Sequence, residues 1–378
     1  MADLRDYIKW RGDLTFEQSS FNEVDNLIFS FISYVDFSGI VPEEDTKEEI
    51  RGSARTEVKG VTVREASQRF WGRFTEQEIL DKPTLTKMSA FVLRDMAQSR
   101  RFGNLYLLDY RNEIDEDTGK QFAAIQIRLE ENLYYLAFRG TDETIVGWQE
   151  DFNMVYAPEV PSERRAVEYL RDALNRREGT GDREPGFYIG GHSKGGHLAV
   201  YAAVKCFEEF RGQIIQVYNN DGPGVSTSMS AEESYGKLLP RLVSYIPEQS
   251  FFGLMLIHEE NICTVKSSRS GLMQHDCLSW QVMGTEFEKV PGVSERSREL
   301  NNGLKSWLAA LTMEERKEII ELIFNSLSQA QIRTIGDFAV LTPGKIYDMM
   351  RNLKEISSEQ KSLINRAFRM LMHALKGK

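Results

Sequence analysis

The residues of this chain whose types and spacing could do chemistry gather at Gly190-Gly-His-Ser-Lys-Gly-Gly-His-Leu-Ala, where Ser193 stands between Gly191 and Gly195 in the spacing G-x-S-x-G. A short apolar run, Phe187-Tyr-Ile, precedes it, and an amphipathic helical stretch follows from Lys194 to Phe207. A serine on a tight strand-to-helix turn takes strained backbone angles, and neighbours without a Cβ relieve the crowding. The helix behind it aims free N–H groups and the positive end of its dipole at any anion forming beside the serine. Three residues in this spacing arise readily by chance. The strand before and the helix after are what give the pattern weight.

A serine hydroxyl is a poor nucleophile at neutral pH and needs a base within hydrogen-bond reach, itself held by an acid. Five histidines are available: His192, His197, His258, His275 and His373. His192 precedes the serine, so its side chain is directed away from the hydroxyl and into packing. His197, one turn into the helix, reads as a core or polar-contact residue. His258, in His-Glu-Glu-Asn, reads as exposed chain, and His373, on the last helix, as solvated surface. His275 follows the last expected strand, between Gly271 and Trp280, which suits the chain order serine, acid, histidine. It is the candidate base.

Two acids close strands ahead of it. Asp221 ends one in an Asp-Gly-Pro-Gly turn, and Glu248 ends the next in Ile-Pro-Glu-Gln. Chain order does not separate them; the short side chain in a rigid turn favours Asp221, with Glu248 as the alternative. Asp276, adjacent to the histidine, is poorly placed to meet its Nδ1. An oxyanion hole needs two converging donors. The N–H of Lys194, directly after the serine, is one candidate. The N–H of Thr141, together with its hydroxyl, is the other, at the strand end Arg139-Gly-Thr-Asp, where Arg139 reads as a brace of the loop. No H-E-x-x-H, paired Cys/His spacing, Walker motif or G-x-G-x-x-G after a strand is present. Neither a metal nor a cofactor is expected.

The elements that must position these groups follow from hydrophobic period. Asn26-Leu-Ile-Phe-Ser-Phe-Ile-Ser-Tyr predicts a buried helix, Pro42–Glu49 an acidic loop, and Thr62 with Glu65 a capped helix through Trp71. Another helix is expected from Pro83, stopping at Gly103. These N-terminal helices show no chemistry of their own. From Leu105 the period becomes that of strands: Leu105–Ile114, Gln121–Leu129 and Leu133–Phe138, then, beyond a helix Pro161–Arg177 and a turn at Gly179, the strand before Ser193. Gln213–Tyr218, Arg241–Ile246 and Asn261–Lys266 follow as further strands. From about Val293 helix formers dominate, with a second capping box at Thr312 and Glu315, a break at Thr342-Pro-Gly and a last helix from Ser358. Interleaved strands and helices predict an α/β sheet with an antiparallel start. The expected organisation is a helical extension over 1–103, the sheet-bearing core over 104–290 and a helical appendage over 291–378.

A formal net charge of −10 argues against nucleic acid or an anionic membrane surface as a general partner. Cys206, Cys263 and Cys277 lie far apart and odd in number, which fits a reducing compartment. With no signal peptide and no apolar run of about 20 residues, a cytoplasmic protein without an integral membrane segment is expected. The sequence identifies no protein partner.

Leu136-Ala-Phe-Arg-Gly-Thr-Asp with Trp148-Gln-Glu-Asp151 resembles the A-F-R-G-T…D-W-x-x-D-L signature of class 3 (fungal-type) lipases. The run around Ser193 resembles their G-H-S-L-G-G-A-L-A, and Gln274-His275-Asp276 with Trp280 is similar to their histidine segment. Over nearly its full length the chain also resembles a family of bacterial α/β-hydrolase-like proteins of unassigned function, through Tyr34-Val-Asp-Phe, Asn220-Asp-Gly-Pro-Gly and Gln274-His-Asp. The resemblance implies an α/β-hydrolase fold with a mostly parallel central sheet and helical additions at both ends. It implies Ser193 as nucleophile, His275 as base and Thr141 as an oxyanion donor. Two departures stand out. Lys194 replaces an apolar residue or Gln, a charge that would favour an anionic substrate. The segment matching the lipases' acid reads Pro247-Glu-Gln-Ser, without Asp, while Asp221-Gly-Pro-Gly resembles the G-L-D-P-A of pancreatic-type lipases. The expected activity is cleavage of a carboxylic ester, lipase- or esterase-like, on a small-molecule acyl ester or lipid. A thioesterase or acyltransferase would use the same residues, and a non-catalytic binding or regulatory protein on a hydrolase scaffold is the competing class.

Overall fold

The computed structural model describes residues 2–44, 60–82, 84, 86–142, 145–154, 157, 159–176, 184–329 and 357–375. The chain divides into two compact units. The first comprises Met1–Glu113, Phe122–Gly140 and Ser162–Val293, the second Ile114–Gln121, Thr141–Pro161 and Ser294–Lys378. The acidic stretch from residue 45, the turn at Gly179 and the Thr342-Pro-Gly break lie outside the described residues.

In the first unit, helices α1 (Leu4–Arg11), α2 (Glu23–Ile32), α3 (Val63–Trp71), α4 (Glu76–Leu80) and α5 (Ser89–Gln98) alternate with strand β1 (Gly60–Thr62) and lead into β2 (Tyr106–Asp115), β3 (Lys120–Glu130) and β4 (Leu133–Phe138). After α6 (Ile145–Asn153), which belongs to the second unit, come α7 (Pro161–Arg176), β5 (Gly186–His192), α8 (Lys194–Phe210), β6 (Ile214–Asn220), β7 (Leu242–Pro247) and β8 (Asn261–Val265). The eight strands form one sheet in sequential order. β1 pairs antiparallel with β2 and β3 with β4, whereas β4 through β8 are parallel neighbours. This is the α/β-hydrolase architecture, a central sheet with flanking helices.

Parallel strands laid down in sequence by right-handed crossovers put their helices on one face. The cores show this. In β4, Leu136 and Phe138 join Ile189 and Val217 in a cluster with α7 and α8, while Tyr135 and Ala137 face α1, α2, α3 and α5. The alternation is the two-residue period of a strand buried on both sides. The N-terminal helices are thus the layer that covers the face the crossovers leave open.

Capping chemistry sets the helix starts. Asn22 and Asp25 close a capping box on α2, and Thr62 and Glu65 close the expected one on α3. The helix expected from Pro83 starts instead at Ser89 and ends at Gln98. The Thr84 hydroxyl takes the Thr86 N–H at 3.2 Å, a local turn that competes with helix. In the second unit, Glu295–Ala309, Met313–Gln329 and Ser358–Leu375 are helical. Trp307 donates to the Ala367 carbonyl at 2.8 Å, above a small core of Leu311, Ile319 and Leu363. Among the described residues no helix is long and apolar enough to cross a membrane.

The N-terminal layer is locked by Arg101 and Asp25, both side chains fully buried, with Arg101 Nη2 2.5 Å and Nε 2.9 Å from the carboxylate. The guanidinium also donates to the carbonyls of Ser19 and Ser20, and Tyr7 donates to Asp25 Oδ1. Removing one partner of such a pair strands a buried charge at a cost of about 3–5 kcal/mol. Arg101→Met is expected to lose about that much stability in urea denaturation followed by tryptophan fluorescence. The double variant Arg101→Met with Asp25→Leu is expected to lose less than the single one.

Candidate active site

β5 runs into Ser193, whose φ of 58° and ψ of −132° turn the chain directly into α8. A positive φ in a non-glycine residue costs about 1–3 kcal/mol and persists only where packing over-determines it. Here the Ser193 N–H donates to the Asn220 carbonyl at 2.9 Å, and the Ser193 carbonyl accepts from Gly196 at 2.9 Å. The flanking glycines are steric requirements. A Cβ on Gly191 would lie 2.2 Å from the Gly195 carbonyl carbon, and one on Gly195 would lie 2.1 Å from the Phe138 oxygen.

Asp221 follows β6 with φ 52°, a second strained residue at the neighbouring strand end. A Cβ on the next residue, Gly222, would lie 2.2 Å from the Ser193 carbonyl oxygen, so this turn is seated against the elbow. Asp221 Oδ2 is 2.6 Å from His275 Nδ1, with the carboxylate 1% and the imidazole 17% exposed. Ser250 donates its hydroxyl to the other oxygen, Oδ1, and the Asp221 N–H donates to the Tyr245 carbonyl at 2.8 Å. The structure therefore brings Asp221 and His275 together. Glu248 donates its N–H to Val265, and among the described residues no hydrogen bond or ion pair joins its carboxylate to His275. Asp276 instead accepts from the Leu278 N–H and pairs with Arg269 at 2.9 Å.

The loop carrying His275 is tied down from several sides. Gln274 is buried; its Oε1 accepts from the Gln249 N–H at 2.7 Å and its carbonyl accepts from Trp280 Nε1 at 2.9 Å. The imidazole of His275 packs against the rings of His192 and Phe252, with centroids 4.4 and 4.5 Å away. His192 reaches His275 a second way, its Nε2 2.9 Å from the His275 carbonyl, while its Nδ1 lies 3.0 Å from the Tyr34 hydroxyl. Burial, and then the proximity of His275, hold the His192 imidazole well below its ordinary range.

His197 is the polar-contact residue expected, its Nδ1 on the Gly224 carbonyl and its Nε2 on Glu163, both at 2.7 Å. His258 is a correction. Rather than exposed chain it is 6% exposed, bonded to Glu260 at 2.7 Å, because Ser244 and Tyr235 form a polar recess around that glutamate. Burial alone would raise the Glu260 carboxyl; His258 and the Ser244 hydroxyl outweigh it and hold it below the usual range. His373 has its side chain outside the described residues. Lys194 is also corrected: it is 1% exposed, packed with the rest of the first turn of α8, and presents no open charge. Arg139 is buried at the end of β4. Thr141 donates its hydroxyl to Asp151, joining the strand-end loop to α6.

Sequence reasoning missed Tyr34, Ser250 and Phe252. A signal for Tyr34 was available: Asn26, Ser30 and Tyr34 are spaced four residues apart, the first two on α2 and Tyr34 two residues past its end.

A model of the family described as Mbeg1-like matches residues 96–325. No curated protein matches. Solved structures similar to this chain include a mutant of MDLA from Penicillium cyclopium, at 11% identity and TM-score 0.39, over 71% of this chain and 86% of that one. Lipase II from Rhizopus niveus shares 11% identity at TM-score 0.34, over 61% and 88%. The lipase from Rhizopus microsporus var. chinensis shares 12% at TM-score 0.30, over 61% and 84%.

The depressed His192 gives a pH dependence whose sign is fixed. The unfolded chain takes up a proton below the ordinary value of 6.5 that the folded chain refuses. Stability is thus full above that pH and falls below it, by at most about 1.4 kcal/mol per pH unit for one group. Urea midpoints measured from pH 7.5 down to about pH 5.5 are expected to decline, and to decline less steeply in His192→Gln.

Proposed function

The chain belongs to the Mbeg1-like family, and for this member we propose a serine hydrolase that cleaves a carboxylic ester, lipase- or esterase-like, through an acyl-enzyme. The observation that carries the proposal is the 2.6 Å pairing of His275 Nδ1 with a buried Asp221, seated against the strained elbow of Ser193.

The chemistry follows from those groups. With Nδ1–H donated to Asp221, His275 presents Nε2 as the free base. Nε2 takes the Ser193 proton as the hydroxyl oxygen attacks the ester carbonyl, then returns it to the departing alcohol. Water repeats the sequence on the acyl-enzyme. Asp221 holds the tautomer and stabilises the imidazolium, and Ser250 occupies its second oxygen so that the carboxylate cannot rotate away. The N–H groups of Lys194, at the start of α8, and of Thr141 are the proposed oxyanion donors. Because Lys194 is buried, the ammonium is given no part in substrate choice. Acyl esters and lipids are the proposed substrates, and the unpaired Cys206, Cys263 and Cys277 support a reducing, cytoplasmic setting.

A fluorophosphonate probe is expected to label Ser193 in the folded protein and to leave Ser193→Ala unlabelled. Absence of an adduct on the folded wild type defeats the mechanism. Asp221→Asn is expected to slow ester turnover by roughly 10⁴-fold, as loss of the correct tautomer does, whereas Glu248→Gln stays within about twofold, as expected of a surface change away from the triad. A panel of ester, thioester and acyl-acceptor substrates separates hydrolysis from acyl transfer.

A further inference from the structure

We infer that Tyr34 and His192 are positioning residues: the His275 carbonyl selects the Nε2–H form of His192, the Tyr34 hydroxyl holds that ring by its free Nδ1, and the Nε2–H in turn fixes where the imidazole of His275 stands. The kinetic half of this rests on the role proposed for His275; the tautomer does not.

A neutral imidazole has one donor nitrogen and one acceptor. The His275 carbonyl can only accept, so at 2.9 Å the His192 Nε2 must carry the hydrogen. Nδ1 is then a lone pair, and the Tyr34 hydroxyl 3.0 Å away donates to it. The His192 carbonyl is the hydroxyl's other acceptor, at a longer 3.4 Å. A second proton on His192 would face the ring of His275 from a buried site, and burial disfavours it. The His192 ring also packs against the His275 ring, with centroids 4.4 Å apart and planes tilted by 37°. One residue therefore sets both the backbone position and the ring plane of His275.

The helix that leads into Tyr34, α2, is itself held in place. Asn26 and Asn220 exchange amide hydrogen bonds of 2.9 and 3.2 Å, Ser30 accepts from Asn220 at 3.0 Å, and Asn220 Nδ2 also reaches the Gly191 carbonyl at 3.0 Å. This buried stripe registers the helix against the ends of β5 and β6. Gly140 leaves the room, since a Cβ there would lie 2.1 Å from the Tyr34 hydroxyl. The N-terminal layer, which looked free of chemistry, thereby reaches the base.

Two measurements test this. Nitrogen-15 histidine spectra of the wild type are expected to show His192 neutral and protonated on Nε2 from about pH 6 to 8, the range in which an ordinary imidazole titrates. A His192 that titrates there, or that carries its hydrogen on Nδ1, overturns the assignment. In Tyr34→Phe, which keeps the ring and drops the hydroxyl, phosphonate labelling of Ser193 is expected to slow about 10- to 100-fold, the scale of a sub-ångström misplacement. The half-saturating probe concentration is expected to stay unchanged. An unaltered rate, or an effect on half-saturation alone, refutes the positioning role. His192→Leu is expected to slow labelling similarly and His192→Gln, which retains a side-chain N–H, less so; equal loss in both overturns the hydrogen-bond account. If the wild type is not labelled at all, the proposed base role fails while the tautomer result stands on its own.

Discussion

Three backbone segments meet at the carboxyl ends of β4, β5 and β6, closer than side chains permit, and that approach governs the rest of the site. Gly191, Gly195 and Gly222 make it possible, because a Cβ on them would stand 2.6, 2.1 and 2.2 Å from the backbone of another segment. The close packing holds Ser193 and Asp221 at positive φ on neighbouring strand ends. Two such residues cost about 1–3 kcal/mol each. The sheet can hold them because both of its faces are covered, by α7 and α8 on one side and the N-terminal helices on the other.

Around that junction, three histidines converge on the turn from Asp221 to Gly224. His275 binds Asp221, His197 binds the Gly224 carbonyl, and His258 stands against Gly224 while bound to Glu260. Each imidazole is also paired with a carboxylate. Buried pairs of this kind add little net stability, since desolvation offsets most of the attraction. Their effect here is geometric. Glu163 brings α7, and Glu260 the segment before β8, into register with the turn that carries the candidate acid.

Much of this was legible in the chain and some was not, for physical reasons. The strands from Leu133 to Asn220 announce themselves by continuous apolar runs, because a parallel sheet buries both faces. The elbow is legible because only glycine tolerates the approach. Asp221 and Glu248 could not be separated by order, since both close strands before His275; what divides them is the positive φ of Asp221, which a sequence does not display. His258 was misread because Glu-Glu beside a histidine suggests solvent, whereas Ser244 and Tyr235, distant in sequence, supply the recess. Tyr34 was hidden just past the end of α2, where its spacing from Asn26 and Ser30 is diluted by apolar neighbours.

The contact between the two histidine rings sets a requirement on charge. In the role proposed for it, His275 accepts a proton and becomes an imidazolium, and the His192 ring centroid is only 4.4 Å away. Two unit charges at such a distance, with an effective dielectric constant near 20, repel by about 4 kcal/mol. That is close to a thousandfold in rate if the transition state had to bear it. A neutral His192 avoids the penalty and offers a polarisable face to the cation. Burial is the first cause of that neutrality and the proximity of His275 the second; the His275 carbonyl at Nε2 works against both. The remaining site for a second proton is Nδ1, and the Tyr34 hydroxyl is directed there. Burial thus allows the two imidazoles to stand in contact while only one of them changes charge, with the Tyr34 hydroxyl satisfying the Nδ1 lone pair of the neutral ring.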